Sequence, residues 1–394
     1  MHAQCNPAGA VMQIEKTTVN IGFNPLTDCA SVVMAAMLGF DEKHGIRIVL
    51  SRETSWASVR DKLMTGELDA AHVLYGLVYG TQLGIGAQPR DMAVLMNLNR
   101  NGQAITLSRR LAEQGANDGA SLAALMAREP RQYVFAQTFP TGTHAMWLHY
   151  WLAAHGIHPL RDVRAITVPP SQMVYNLVEG HMDGFCAGEP WHHQALLEGI
   201  GVTAATSQQI WPDHPEKVLG TSLDFVRAHP NTCRALVAAV LEASRWIDAS
   251  DENRRATAEI IAAVPYVNTD KAAILPRILG RYENGMKGAW QDEHPMRFHQ
   301  DGQANYPWLS DGMWFMTQFR RWGLLKADPD YLQVAQSVTQ LRLYREAAEM
   351  AGVAVPTDVL RTSTLVDGRT WDGTDPARYA ASFPIHQRSG SAGN

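Results

Sequence analysis

The sequence predicts an α/β protein built as two similar lobes, each a mainly parallel sheet with flanking helices. Three observations carry that prediction. From Val19 to Leu74, short β-rich runs alternate with apolar helical stretches in a βαβαβ rhythm, the pattern of a parallel sheet covered on both faces. After Ser108 the composition turns polar and helix-rich, and a second βα series then begins. Finally, "EGHMDGFCAGEP" at 179–190 echoes "TGELDAAHVLYG" at 65–76: a helix stop, an aspartate, then a short apolar strand.

Val19–Phe23 reads as the first strand, a polar turn at 24–28 follows, and Ala30–Leu38 is an apolar helix. Alternation at Ile46, Ile48 and Leu50 marks a second strand. A helix from Ser55 to Met64 stops at Gly66, and Ala70–Leu74 is the third strand. "DMAVLMNLNRNGQAITLS" at 91–108 supplies a strand, an Asn-rich turn and a further strand at Ala104–Leu107. In the second series, "QYVFAQTF" restarts a strand, and "RAITV", "GFCAG" and "GVTAAT" follow. From Thr221 the text is helical: Asn231–Asp248, Asp251–Ala263, Asp270–Leu279, then near Asp311–Gly323 and Leu332–Ala351. Beyond Pro356 periodicity fades, and "HQRSGSAGN" reads as a mobile tail.

At 394 residues the chain has room for two domains, and a net charge of −5 leaves no broad basic surface, which argues against direct nucleic-acid binding. No run of about 18 apolar residues predicts a membrane-spanning helix. The four cysteines, Cys5, Cys29, Cys186 and Cys233, are scattered and read as free thiols.

Familiar catalytic signatures are missing: there is no P-loop, HExxH or GxSxG. "GIGVTA" at 199–204 imitates a dinucleotide fingerprint, but no strand precedes it. His192 and His193 are adjacent, so on a helix they point about 100° apart and do not chelate one metal together; a surface or pocket-rim role is expected. Glu189 has no partner carboxylate at a recognisable spacing. What remains is a set of polar residues where strands end and turns or helices begin, the usual ligand position in open α/β sheets: Trp56, Gln103, His144, Gly188 and Lys217. The turn Pro140–Thr143 runs straight into an apolar helix with His144 at the joint. Its threonines either cap the helix or help to hold something negative. Read together, the five residues suit a small oxyanion. Read separately, they are caps, core and solvated surface.

"NRNGQAITLS", "TGTHAMWLHYWLAAHGIHP", "CAGEPW" and "HPEKVLG", in that order, resemble the nitrate-binding family of solute-binding proteins over residues 17–355. The resemblance implies a C-shaped, two-lobed fold of the type II periplasmic-binding-protein kind, with lobes discontinuous in sequence. Lobe I is then 17–108 plus 220–355, lobe II is 109–219, and 356–394 is an extended C-terminal segment. It also implies an anion held between the lobes by Trp56, Gln103, His144, the Gly188 backbone and the charge of Lys217, with no cofactor, metal or catalysis. Bicarbonate receptors of the family carry an acidic residue at the lysine position, so Lys217 favours a permanent monoanion, nitrate or nitrite.

The N-terminal stretch "MHAQCNPAGAVMQIEKTTVNIGF" has no basic start and no unbroken apolar run, so no export signal is expected. That points to the family's cytoplasmic nitrate/nitrite-sensor branch (NasS), which the resemblance pairs with a NasT-like antiterminator carrying an ANTAR RNA-binding domain. The sensor would sequester this partner and release it when the anion binds. The alternative is an exported nitrate-binding receptor of an ABC transporter.

Overall fold

The computed structural model describes residues 13–387. Ten strands form its two main sheets: β1 (Thr18–Phe23), β2 (Arg47–Arg52), β3 (Ala70–Leu74), β4 (Met92–Asn97), β5 (Gln103–Ser108), β6 (Tyr133–Gln137), β7 (Val163–Thr167), β8 (Gly184–Gly188), β9 (Gly201–Thr206) and β10 (Lys217–Ser222). The first sheet has the order β2-β1-β3-β10-β4, the second β7-β6-β8-β5-β9. Each is the core of one lobe, covered by helices, so the two-lobed α/β architecture is present.

The sheets are mixed: in each, four strands share one direction and the fifth opposes them. β1 is parallel to β2 and β3, and β6 to β7 and β8, whereas β10 runs antiparallel to β3 and β4, and β5 antiparallel to β8 and β9. The cause is strand exchange: the chain leaves the first sheet after β4, enters the second as β5, and returns as β10. β5 therefore belongs to the second sheet, whereas the composition shift had put the boundary after Ser108. That shift marks the helices after β5, not the crossing itself.

Two helical readings also change. Tyr75–Gln82 is a helix that follows β3 without a turn, which is why no punctuation announces it. Gly76 and Gly80 form its contact face. A methyl on Gly76 would lie 2.1 Å from the Thr141 carbonyl oxygen, and one on Gly80 2.6 Å from Thr141 Oγ1. The turn leading to His144 is thus seated against bare backbone of the other lobe. The stretch 332–351 is two helices, Tyr331–Val338 and Leu341–Met350, because Thr339 bridges to Val94 and the Gln340 N–H donates to the Val94 carbonyl.

The residues after Pro356 are aperiodic but anchored. Arg361 pairs with Asp311 at 2.7 Å and donates to the Asp213 carbonyl at 2.8 Å. Val366 N–H donates to the Ile210 carbonyl, Tyr150 Oη to Asp367, and Trp371 Nε1 to the Ser310 carbonyl. This segment ties the Leu309–Arg321 helix to the Thr143–Ala154 helix and to the return crossing at 207–216. Most of the tail reading, Cys5 and the first twelve residues of the export-signal reading fall outside the described residues, within which Cys29, Cys186 and Cys233 are free and buried.

Gly76→Ala is expected to destabilise the protein by about 2 kcal/mol or more, because the methyl meets backbone that cannot turn aside. Denaturant unfolding at neutral pH checks this, with Gly39→Ala, whose added methyl meets nothing within 4 Å, as the control for generic glycine loss at a positive φ of 72°.

Candidate functional site: a buried lysine between two carboxylates

The two crossings lie side by side and are hydrogen-bonded to each other. Leu98 N–H donates to the Lys217 carbonyl (2.8 Å), Glu216 N–H to that of Asn99 (3.3 Å), and Asn101 N–H to that of His214 (3.2 Å). Asn101 and Gly102 turn the first crossing at φ of 59° and 95°. This pairing delivers Glu216 and Lys217, at the start of β10, to the junction of the lobes.

Lys217 is completely buried there. Its Nζ donates to Asp28 Oδ2 at 2.7 Å and to Glu216 Oε1 at 2.6 Å. Asp28 sits in the single 3-10 turn after β1, and its Oδ1 accepts from His72 Nε2 at 2.7 Å. Glu216 accepts from Thr143 Oγ1 at 2.7 Å and from Trp147 Nε1 at 3.1 Å. Burial works against ionising Asp28 and Glu216. Lys217 outweighs it, helped by His72 for the first and His144 for the second, and holds both below the ordinary carboxylate range. Burial likewise opposes the lysine's charge, but the two carboxylates keep it raised. For His144, burial and then the Lys217 charge favour the neutral ring.

The predicted residues gather around this cluster. Trp56 opens the Trp56–Thr65 helix, whose N-cap Ser55 accepts from Ser58 N–H; its ring lies 5.6 Å from Lys217 Nζ and 5.6 Å from the His72 ring. Its Nε1 is buried without a partner. His144 has Nδ1 2.6 Å from Thr138 Oγ1, while its Nε2 lies 3.3 Å from Glu216 Oε1 without a well-directed hydrogen bond. Gly188 ends β8, and a methyl there would come within 3.5 Å of Asp28 Oδ2 and 3.7 Å of His144 Nε2. Gln103 stands opposite Gly188 in the sheet; its Nε2 donates to the Asn101 carbonyl at 3.2 Å, leaving Oε1 unpartnered.

Other sequence readings change. The helix cap is Gly142, without a side-chain cap bond, and Thr143 instead serves Glu216. The apolar helix Thr143–Ala154 does not pack only on its own sheet: Trp147 lies 5.0 Å from Trp314 of the other lobe. His192 and His193 are buried, not at a rim, because their helix is covered by the Lys271–Ile278 helix. His192 bonds Thr106 and Thr203, while His193 bonds the Ala273 carbonyl and pairs with Glu283. Glu189 pairs with Arg277 at 3.1 Å. Sequence reasoning missed Asp28, Glu216 and His72. Glu216 adjoins a quoted lysine, but nothing in the spacing says that Asp28, 189 positions away, meets the same ammonium.

Chemically, the site leaves donors in surplus over acceptors, with Gln103 Oε1 the unpartnered acceptor among the five residues. Each carboxylate oxygen of Asp28 and Glu216 already accepts, whereas Trp56 Nε1, one N–H of Lys217 and His144 Nε2 have no well-directed protein partner. Such a surplus suits an oxyanion.

The model of the NMT1-like family matches residues 12–262. The nitrate/nitrite binding protein NrtA of Synechocystis sp. is 36% identical over 387 residues, covering 94% of this chain and 86% of that protein. The nitrate import ATP-binding protein NrtC of the same organism is 36% identical over 95% of this chain, and the bicarbonate transport ATP-binding protein CmpC is 35% identical over 95%; the chain spans 56% of each. The crystal structure of the periplasmic nitrate-binding protein NrtA from Synechocystis superimposes with a TM-score of 0.90 at 35% identity, covering 94% of this chain and 100% of that one. The chain belongs to the NMT1-like family and is a homologue of the NrtA nitrate-binding proteins. These relatives overturn the expectation of a cytoplasmic sensor acting through a NasT-like antiterminator. NrtC and CmpC are named for nitrate import and bicarbonate transport, and the NrtA of known structure is periplasmic.

Because Asp28 and Glu216 are depressed in the folded state, the unfolded chain takes up protons at a pH where the folded one does not. Their contribution to stability is full above about pH 5 and is lost as the pH falls through the folded values, below about pH 4. Denaturant unfolding from about pH 5 down to about pH 2 is expected to show a steep acid loss that is shallower in Glu216→Gln.

Proposed function

We propose that this chain is the anion receptor of a nitrate or nitrite import system, exported from the cytoplasm and delivering its ligand to an ABC transporter. The observation that carries the reading is Lys217: a buried cation at the lobe junction with an N–H to spare, beside the unpartnered Trp56 Nε1 and His144 Nε2. The names and periplasmic setting of the NrtA relatives support it.

Relatives in both nitrate and bicarbonate transport share this framework, so the site must supply the choice. Bicarbonate brings a hydroxyl that needs an acceptor; each oxygen of Asp28 and Glu216 already accepts a bond, so that hydroxyl has to reach Gln103 Oε1, the unpartnered acceptor among these residues. An anion with no hydrogen of its own leaves no donor stranded. In this reading Trp56 and Lys217 hold the anion from the first lobe, and His144, Gly188 and Gln103 from the second. A ligand bridging both lobes favours their closed arrangement by its differential affinity for it. Because these groups are buried, the lobes must part for ligand to enter and leave.

Trp56→Phe keeps an aromatic ring, though a smaller one, and removes the Nε1 donor, so it is expected to weaken nitrate binding by about tenfold, or ~1.4 kcal/mol. Lys217→Met is expected to cost at least about 100-fold. Calorimetric titration with sodium nitrate checks both; unchanged affinity in either variant would sink the site assignment. Bicarbonate at millimolar concentration is expected not to compete.

A further inference from the structure

The charges of the cluster do not balance for an anion. Lys217 contributes one positive charge, and Asp28 and Glu216 contribute two negative ones, all fully buried. With neutral histidines the group is net negative before any ligand arrives. A further negative charge beside it is strongly repelled even at an effective dielectric near 20. We propose that the site takes up one proton with each anion it binds, and that His144 receives it.

The geometry selects His144 among the titratable groups facing the cluster. His72, on β3, uses Nε2 for Asp28, and its Nδ1 is buried with no partner, so a proton there would have no acceptor. His214, on the return crossing, has both ring nitrogens engaged, with the Pro215 carbonyl at 3.0 Å and Ser207 Oγ at 2.7 Å; burial holds it down at about 4. The Cys186 thiol on β8 is held protonated by burial and offers no site. His144 has Thr138 Oγ1 2.6 Å from Nδ1, while its Nε2, 3.3 Å from Glu216 Oε1, makes no directed bond to the protein and is open to an anion. Its Nε2 also borders the space over Gly188, where the anion would sit. Without the anion, burial and Lys217 keep the ring neutral; an anion at Nε2 restores the balance.

The inference rests on the receptor reading and adds a specificity rule. A monoanion with one proton leaves the cluster's charge as it was, whereas a dianion such as sulfate needs two, and the geometry accommodates only one.

Calorimetric titration with sodium nitrate near pH 7.5, in buffers of differing ionisation enthalpy, counts the protons. The expected uptake is close to one per nitrate, with affinity falling about tenfold per pH unit above neutrality. In His144→Gln the uptake is expected to vanish and the affinity to become weaker and independent of pH; in His72→Gln the uptake is expected to persist. Nitrate binding by the unaltered protein without proton uptake overturns the inference and leaves the receptor reading standing. Uptake that survives in His144→Gln overturns the assignment to His144. Failure to bind nitrate at any pH from 6 to 9 overturns the receptor reading itself.

Discussion

An ammonium group with no access to water is tolerable only where carboxylates meet it at hydrogen-bond distance, and here they come from two places in the chain. Asp28 stands at the end of the first strand, and Glu216 at the end of the return crossing. Buried ion pairs of this kind add little net stability, but removing one partner leaves a stranded charge and is costly. The cluster therefore acts on the fold mainly as a constraint of register. β1, β3, the helix carrying His144 and both crossings must all arrive together, or Lys217 has nothing to hold it. The glycine face of Tyr75–Gln82 and the anchored C-terminal segment serve that convergence, since each fixes the His144 helix against the first lobe.

The same constraint explains how a site proposed to bind anions can contain two anionic side chains. Their charges are spent on the lysine, the histidine and the tryptophan that they position. What is left over faces inward as N–H groups. The lysine is thus less a free counter-charge than a donor whose direction is fixed by its partners.

Much of this was legible in the sequence, and the gaps have physical reasons. Strand periodicity and turn residues marked β1 to β9 because each is bounded by glycine, proline or polar turns. Strand direction was not legible: the apolar pattern of β10 is the same whether it runs with its neighbours or against them, and only the crossings decide. Trp56, Gln103, His144, Gly188 and Lys217 could be picked out because each lies at an element junction in a recognisable motif. Asp28 and His72 could not, because their meaning comes from contacts across the fold and not from neighbours along the chain. The comparison with relatives corrected the cellular setting, which rested on the terminal residues alone.

The position of β10 has a consequence for the order in which the molecule can be made. It is not an edge strand; it fills the gap between β3 and β4 in the middle of the first sheet. As the chain emerges from its N-terminus, β1 to β4 are complete more than a hundred residues before their missing neighbour is synthesised. Until then β3 and β4 present unpaired backbone to each other across an empty lane, and the second lobe, whose strands are contiguous in sequence, is free to fold first. The lobe that comes first in the sequence is the one that must finish last.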